Sequence, residues 1–127
     1  MLNFSFDLYI HDQWAGYGNN PPDFWGIFID KQRVFYTTFS NTPNGAQSYP
    51  KHEGYLFPPA SDAIEKLPGL YTLKSRADGT AMYHVVWSIA HDRSFFELAL
   101  SDLVAESNVS IKSWSIDNLK VVCTNIE

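Results

Sequence analysis

The sequence predicts an α+β fold in a single domain spanning 1–127: a mainly antiparallel sheet of about six or seven strands, with one amphipathic helix (about 94–107) packed on one face and a short helix near 61–67. Three observations carry this. Apolar residues alternate with polar ones in several short segments. Turn residues fall between neighbouring segments at hairpin spacing. One stretch alone, after Ser94, repeats its apolar residues at helical spacing.

Element by element, Asn3–Ile10 sends Phe4, Phe6, Leu8 and Ile10 to one side and Asn3, Ser5, Asp7 and Tyr9 to the other, a half-buried strand. Phe24–Asp30 and Arg33–Ser40 are β-rich runs joined by a short turn at Lys31-Gln32. Residues 41–60 carry Asn-Gly and four prolines and predict a long irregular crossing, a length that suits a binding or covering element. Asp62 followed by Glu65 matches a helix start, ended by Pro68-Gly69. Asp78-Gly79 between Leu70–Arg76 and Ala81–Ala90 is the strongest hairpin signal, since both central turn positions need positive φ. Ser94 and Glu97 form a capping-box pattern ahead of Phe96, Ala99, Leu100, Leu103 and Val104, predicting the long helix. Val109–Trp114 and Leu119–Cys123 read as strands separated by a turn or bulge over Ser115–Asn118.

Composition narrows the function classes. Apolar residues at 45% with 18% charged exclude a disordered chain. The formal charge of −5 is uneven: residues 1–30 hold four Asp and no Lys or Arg, 31–91 are net basic, and 92–127 are acidic again. Nucleic-acid backbones demand clustered cations, so nucleic acid is not an expected partner; a charge-steered partner would be basic. The N-terminus lacks the basic region of a signal peptide, no apolar run is long enough to span a bilayer, and the lone Cys123 reads as a small buried residue. A cytoplasmic protein with no membrane partner is expected.

No nucleophile elbow, phosphate loop or close metal-ligand spacing occurs, so no cofactor, metal or catalytic residue is predicted. His11-Asp12 and His91-Asp92 are the sharpest catalytic temptation. Adjacent strand residues face opposite ways, and both pairs sit just past strands, where Asp commonly starts a turn. A small enzyme built on these pairs is the alternative reading, together with a carbohydrate-binding module that stacks loop aromatics on sugar.

The stretch DQWAGYGNNPPDFWG (12–26) points elsewhere, because it sets Trp14 and Tyr17 among Gly, Asn and Pro. Aromatic side chains with few rotors are favoured contact anchors. The candidate partner-binding residues are Asp12, Trp14, Tyr17 and Asp23, then Tyr49, His52, Glu53 and Tyr55 of the long crossing; Trp25, inside a strand, is expected in the core. In its short, acidic, motif-free character the whole chain resembles the immunity proteins of bacterial contact-dependent growth inhibition and related polymorphic toxin systems. That resemblance implies a non-catalytic, stoichiometric inhibitor that masks the active site of a cognate toxin domain, often a nuclease.

Overall fold

The computed structural model describes residues 1–67, 79–103 and 112–124. They form seven strands: β1 (Leu2–Asp12), β2 (Phe24–Ile29), β3 (Gln32–Thr38), β4 (Glu65–Leu67), β5 (Thr80–Ile89), β6 (Leu98–Leu103) and β7 (Lys112–Cys123). All pairings are antiparallel, and they build two sheets rather than the single one expected: β4-β5-β1-β7 and β3-β2-β6.

β1 organises the first sheet because its alternation is complete. Leu2, Phe4, Phe6, Leu8 and Ile10 are all buried, while the residues between them are half-exposed. Burying each of those large side chains stabilises the fold by about 2 kcal/mol. Tyr83 and Val85 of β5 join them, as the expected strand alternation requires. The facing sheet contributes Trp25, Ile27 and Ile29 of β2. Trp25 sits at the join, with its ring 6.1 Å from Phe6, 6.0 Å from Phe39 and 5.8 Å from Trp114. The fold is therefore a two-sheet packing around an aromatic core, and Trp25 is in that core as expected.

Both expected helices are corrected. Residues 98–103 are strand β6, which pairs with β2 from Ile29↔Leu98 to Phe24↔Leu103. The Asp30 backbone N–H donates to the Glu97 carbonyl at 2.9 Å, and the Asp30 carboxylate accepts the Glu97 N–H at 2.9 Å. These two bonds take the backbone groups a helix start would need and set Leu98 in register with β2. Leu98 and Leu100 then pack on the core by strand alternation, a spacing that the helical reading also accommodates over so few residues. The rest of the expected helix, 104–107, lies outside the described residues. At 61–67, Ala60 and Asp62 adopt φ of 56° and 67°, which no helix tolerates. Ile64 N–H instead donates to the Met82 carbonyl at 2.7 Å, and β4 follows on the edge of β5.

Smaller differences follow the same logic. The β2–β3 turn falls on Asp30-Lys31, one residue earlier than expected, and both have positive φ (50° and 67°), the requirement of a two-residue hairpin. The two expected C-terminal strands are one strand, β7; Asn118 and Leu119 together face Phe6 across a bulge, with Asn118 at φ 58°. Cys123 is exposed rather than buried. The expected hairpin arm 70–76 lies outside the described residues, although Gly79 has the positive φ (63°) that its turn requires.

The opening loop and the long crossing are packed on each other. Gly16 (φ 54°) and Gly45 let the backbones touch: a Cβ on Gly16 would strike the Ala46 carbonyl oxygen, and one on Gly45 the Ala15 carbonyl oxygen. Tyr17 N–H donates to Ala46 O at 2.8 Å and Asn41 N–H to Trp14 O at 2.7 Å. A single 3-10 turn, Gly16–Gly18, is the helical content of the described residues.

Candidate interaction surface

The long crossing is anchored by Gln47 and then projects a tip. Gln47 pairs with Phe57 through two backbone hydrogen bonds, its N–H to Phe57 O at 2.9 Å and Phe57 N–H to its O at 2.7 Å, which closes the base of residues 48–56. On one side the tip is laced to β3. Ser48 N–H donates to Thr38 Oγ1 and Thr38 N–H to Ser48 Oγ, both at 2.8 Å, and Thr37 Oγ1 donates to the Lys51 carbonyl at 2.7 Å. Glu53 N–H donates to the Tyr36 carbonyl at 2.8 Å. On the other side Gly54 N–H donates to the Tyr17 phenol oxygen at 2.8 Å, tying the tip to the opening loop. Tyr55 (47% exposed) and Leu56 (69% exposed) stand out from this frame. His52 rests edge-on against Tyr55 at 5.0 Å, and the Tyr55 and Phe57 rings stack at 6.4 Å.

Beside the tip lies an open hollow of about 600 Å³, bordered by Arg33, Tyr36, Lys51, His52, Glu53 and Trp87. The Arg33 guanidinium stacks over the Tyr36 ring at 4.2 Å, and Tyr36 stacks on Phe24 at 4.3 Å. Burial pushes the Tyr36 phenol up, against the smaller opposing pull of Arg33. The patch thus combines rigid rings, a delocalised cation and exposed aliphatic surface, the composition that contact hot spots favour.

The eight sequence candidates divide evenly. Tyr17, His52, Glu53 and Tyr55 meet on this patch. Asp12, Trp14, Asp23 and Tyr49 do not, because they are buried. Trp14 is fully enclosed with its indole N–H donating to the Ser113 carbonyl at 2.9 Å. Tyr49 packs on Phe39 and Tyr83 at 4.9 and 5.0 Å, and burial pushes its phenol up to about 12. Asp23 is an internal anchor, accepting from Ala15 N–H and Asn19 Nδ2 at 2.8 Å and pairing with Lys112 Nζ at 3.0 Å. Fully enclosed, Trp14 offers no face for a sugar ring to stack on, as the alternative carbohydrate-binding reading would need of it. Leu56, Arg33 and Tyr36 belong to the patch yet were not sequence candidates. For Leu56 the available signal was a large apolar side chain directly after Tyr55 in the Gly-Pro-rich crossing.

The His-Asp pairs are separated. His11 pairs with Thr80 at one end of β1, whereas Leu2 at the other end pairs with Ile89, two residues before His91. Nine strand steps put the two histidines about 30 Å apart. His91 finds its carboxylate in Asp30, at 3.0 Å, which also lies 3.6 Å from Arg93. Among the described residues no three His, Cys, Asp or Glu side chains gather to hold a metal ion, and no helix is long and apolar enough to cross a membrane.

His11 lies buried between Thr80 Oγ1 and Ser115 Oγ, each 2.9 Å from a ring nitrogen. Burial pushes its pKa below the ordinary 6.5, against the smaller opposing effect of Asp12. The folded state therefore binds the proton less readily than the unfolded chain does. The stability this confers is full above about pH 6.5 and is lost as pH falls below it. Thermal melts from pH 7.5 to 5 should show a declining Tm, and His11→Gln should flatten the decline. Equal slopes in the two proteins would sink this assignment.

No family model, curated protein or solved structure matches this chain.

Proposed function

We propose that this protein is a protein-binding inhibitor of the immunity type, which captures a cognate bacterial toxin domain and masks its active site, a capture that involves no catalytic step. The observation that carries the reading is the tip at residues 48–56. It presents Tyr55 and Leu56 to solvent while four hydrogen bonds, to Thr38, Tyr36 and Tyr17 and from Thr37, hold its backbone in place. A contact surface ordered before binding loses little entropy when it binds. Tyr17, His52 and Glu53 complete the contact set, and Arg33 and Tyr36 flank it. A basic partner now rests on the net charge of −5 rather than on the opening loop, since Asp12 and Asp23 are buried.

The test is neutralisation. Each gene adjacent to the one encoding this chain is expressed alone and together with it. One product should be toxic alone and harmless in company, and should bind this chain one to one. Tyr55→Ala combined with Leu56→Ala should leave the fold intact and weaken that binding at least thirtyfold, or about 2 kcal/mol for loss of a contact hot spot. The proposal fails if no neighbour is toxic and neutralised.

A further inference from the structure

His11 does more than fill space between β5 and β7. Its Nδ1 lies 2.9 Å from the Thr80 hydroxyl oxygen and its Nε2 lies 2.9 Å from the Ser115 hydroxyl oxygen. Thr80 is fully buried, and Ser115 is partly open to solvent. The Tyr9 ring lies parallel to the imidazole at 6.2 Å, with 8° between the planes. With Nδ1–H donating to Thr80, the Nε2 lone pair accepts from Ser115. That order of nucleophile, base and orienting group is the one acyl-transfer sites use, here with a threonine hydroxyl where a carboxylate commonly stands. A hollow of about 470 Å³ opens beside it, bordered by Tyr9, His11, Ser113, Ser115 and Asp117.

We propose that Ser115 is a nucleophile activated by His11, and that this site accepts small carboxylic esters. The site shares no residue with the tip, so the proposal goes beyond the inhibitor reading and does not depend on it. In the first step the Ser115 Oγ–acyl bond forms, and the proton passes from Oγ to His11 Nε2 and then to the departing alkoxide as its bond to the acyl carbon breaks. In the second step water attacks the acyl-serine, gives its proton to Nε2, and releases the carboxylic acid as that proton returns to Oγ. The Ser113 hydroxyl borders the hollow as a donor for the oxyanion. The neutral imidazole that burial favours in His11 is the form the first step needs. Thr80 is a positioning residue. Because a threonine hydroxyl rather than a carboxylate orients Nδ1, turnover should be slow, as it is in triads deprived of their carboxylate, where the loss is about 10⁴ in kcat. Covalent capture is therefore the sensitive measurement.

The experiment treats the full chain with an alkyl fluorophosphonate, whose phosphorus bonds to Oγ as fluoride leaves, and maps the adduct by mass spectrometry. The expected result is one adduct, on Ser115, absent in Ser115→Ala and at least tenfold slower to form in His11→Gln. No adduct on Ser115 in the folded wild-type chain, or an equal rate in folded His11→Gln, overturns the proposal. Where His11→Gln does not fold, Ser115→Cys supplies the second measurement. Its new thiol should react with iodoacetamide at pH 7 at least ten times faster than the exposed Cys123 of the same chain, and a rate no faster than that of Cys123 overturns the proposal.

Discussion

Gln47→Ala should lower the stability of this protein by about 4 kcal/mol, among the largest effects expected of a single substitution. The side chain is fully buried, and both ends of its amide are fully used. Its Oε1 accepts from Ser40 N–H and Ala60 N–H at 3.0 Å and from the Tyr83 hydroxyl at 3.3 Å. Its Nε2 donates to the Tyr49 and Ser61 carbonyls, each at 3.1 Å. Truncation takes this partner from four polar groups where water has little access, Ala60 N–H keeping its bond to the Ser40 carbonyl at 3.0 Å, and each orphan costs about 1–3 kcal/mol before relaxation. In a domain of this size the Tm should drop by roughly 15 °C. Gln47→Glu separates hydrogen bonding from packing. The carboxylate keeps the acceptor but turns a second oxygen toward two carbonyls, and its own pKa is raised by burial. A carboxyl raised in the folded state favours folding at low pH and loses that contribution as pH rises through its folded value. Gln47→Glu should therefore approach the wild type in stability on acidification and fall away from it near neutrality. Denaturant titrations at pH 4.5 and 7.5 decide this. A loss under 1 kcal/mol in Gln47→Ala would show that the crossing is held by something else.

The residues that made β1 legible differ in kind from those that hid β6. In β1 every second side chain is large and apolar over nine positions, so only a strand half-buried in a sheet fits it. Leu98–Leu103 is too short for its leucines to separate the two periods. The outcome was decided by Asp30, a distant residue whose turn binds the Glu97 backbone on both sides. The split into two sheets was hidden for a similar reason, since pairing order depends on contacts far apart in sequence. In the candidate site, the crossing was recognisable from its prolines and glycines, and His52, Glu53 and Tyr55 reach the surface. Asp12, Trp14, Asp23 and Tyr49 have the residue types of contact anchors, but composition alone cannot tell an anchor facing a partner from one facing inward. Within the stretch 12–26, Trp14 and its neighbours form an internal plug, held by Asp23 and by the crossing that covers it, while Tyr17 reaches the surface patch.

That plug gives the second large effect. Lys112→Met should destabilise the protein by about 3–5 kcal/mol, the range for removing one partner of a buried ion pair. The Lys112 side chain is 6% exposed and Asp23 is fully buried, so the pair lies 3.0 Å apart with little water to screen or replace either charge. Methionine matches the lysine stem in size, which leaves the abandoned carboxylate as the main cost. Asp23 has further work, because its other oxygen holds Ala15 N–H and Asn19 Nδ2. Asp23→Asn should thus be destabilising too, yet in combination with Lys112→Met it should recover part of the loss, since no uncompensated charge remains. The two single losses should exceed the double loss by at least 1 kcal/mol in a double-mutant cycle measured by urea unfolding. The pair joins the plug to the first residue of β7, 89 positions later in the chain. Lys112→Met should accordingly raise amide exchange at Ala15 and at neighbouring positions of the plug more than at the buried residues of β1. Additive losses, with exchange unchanged at Ala15, would mean that the ion pair contributes nothing to holding the plug in place.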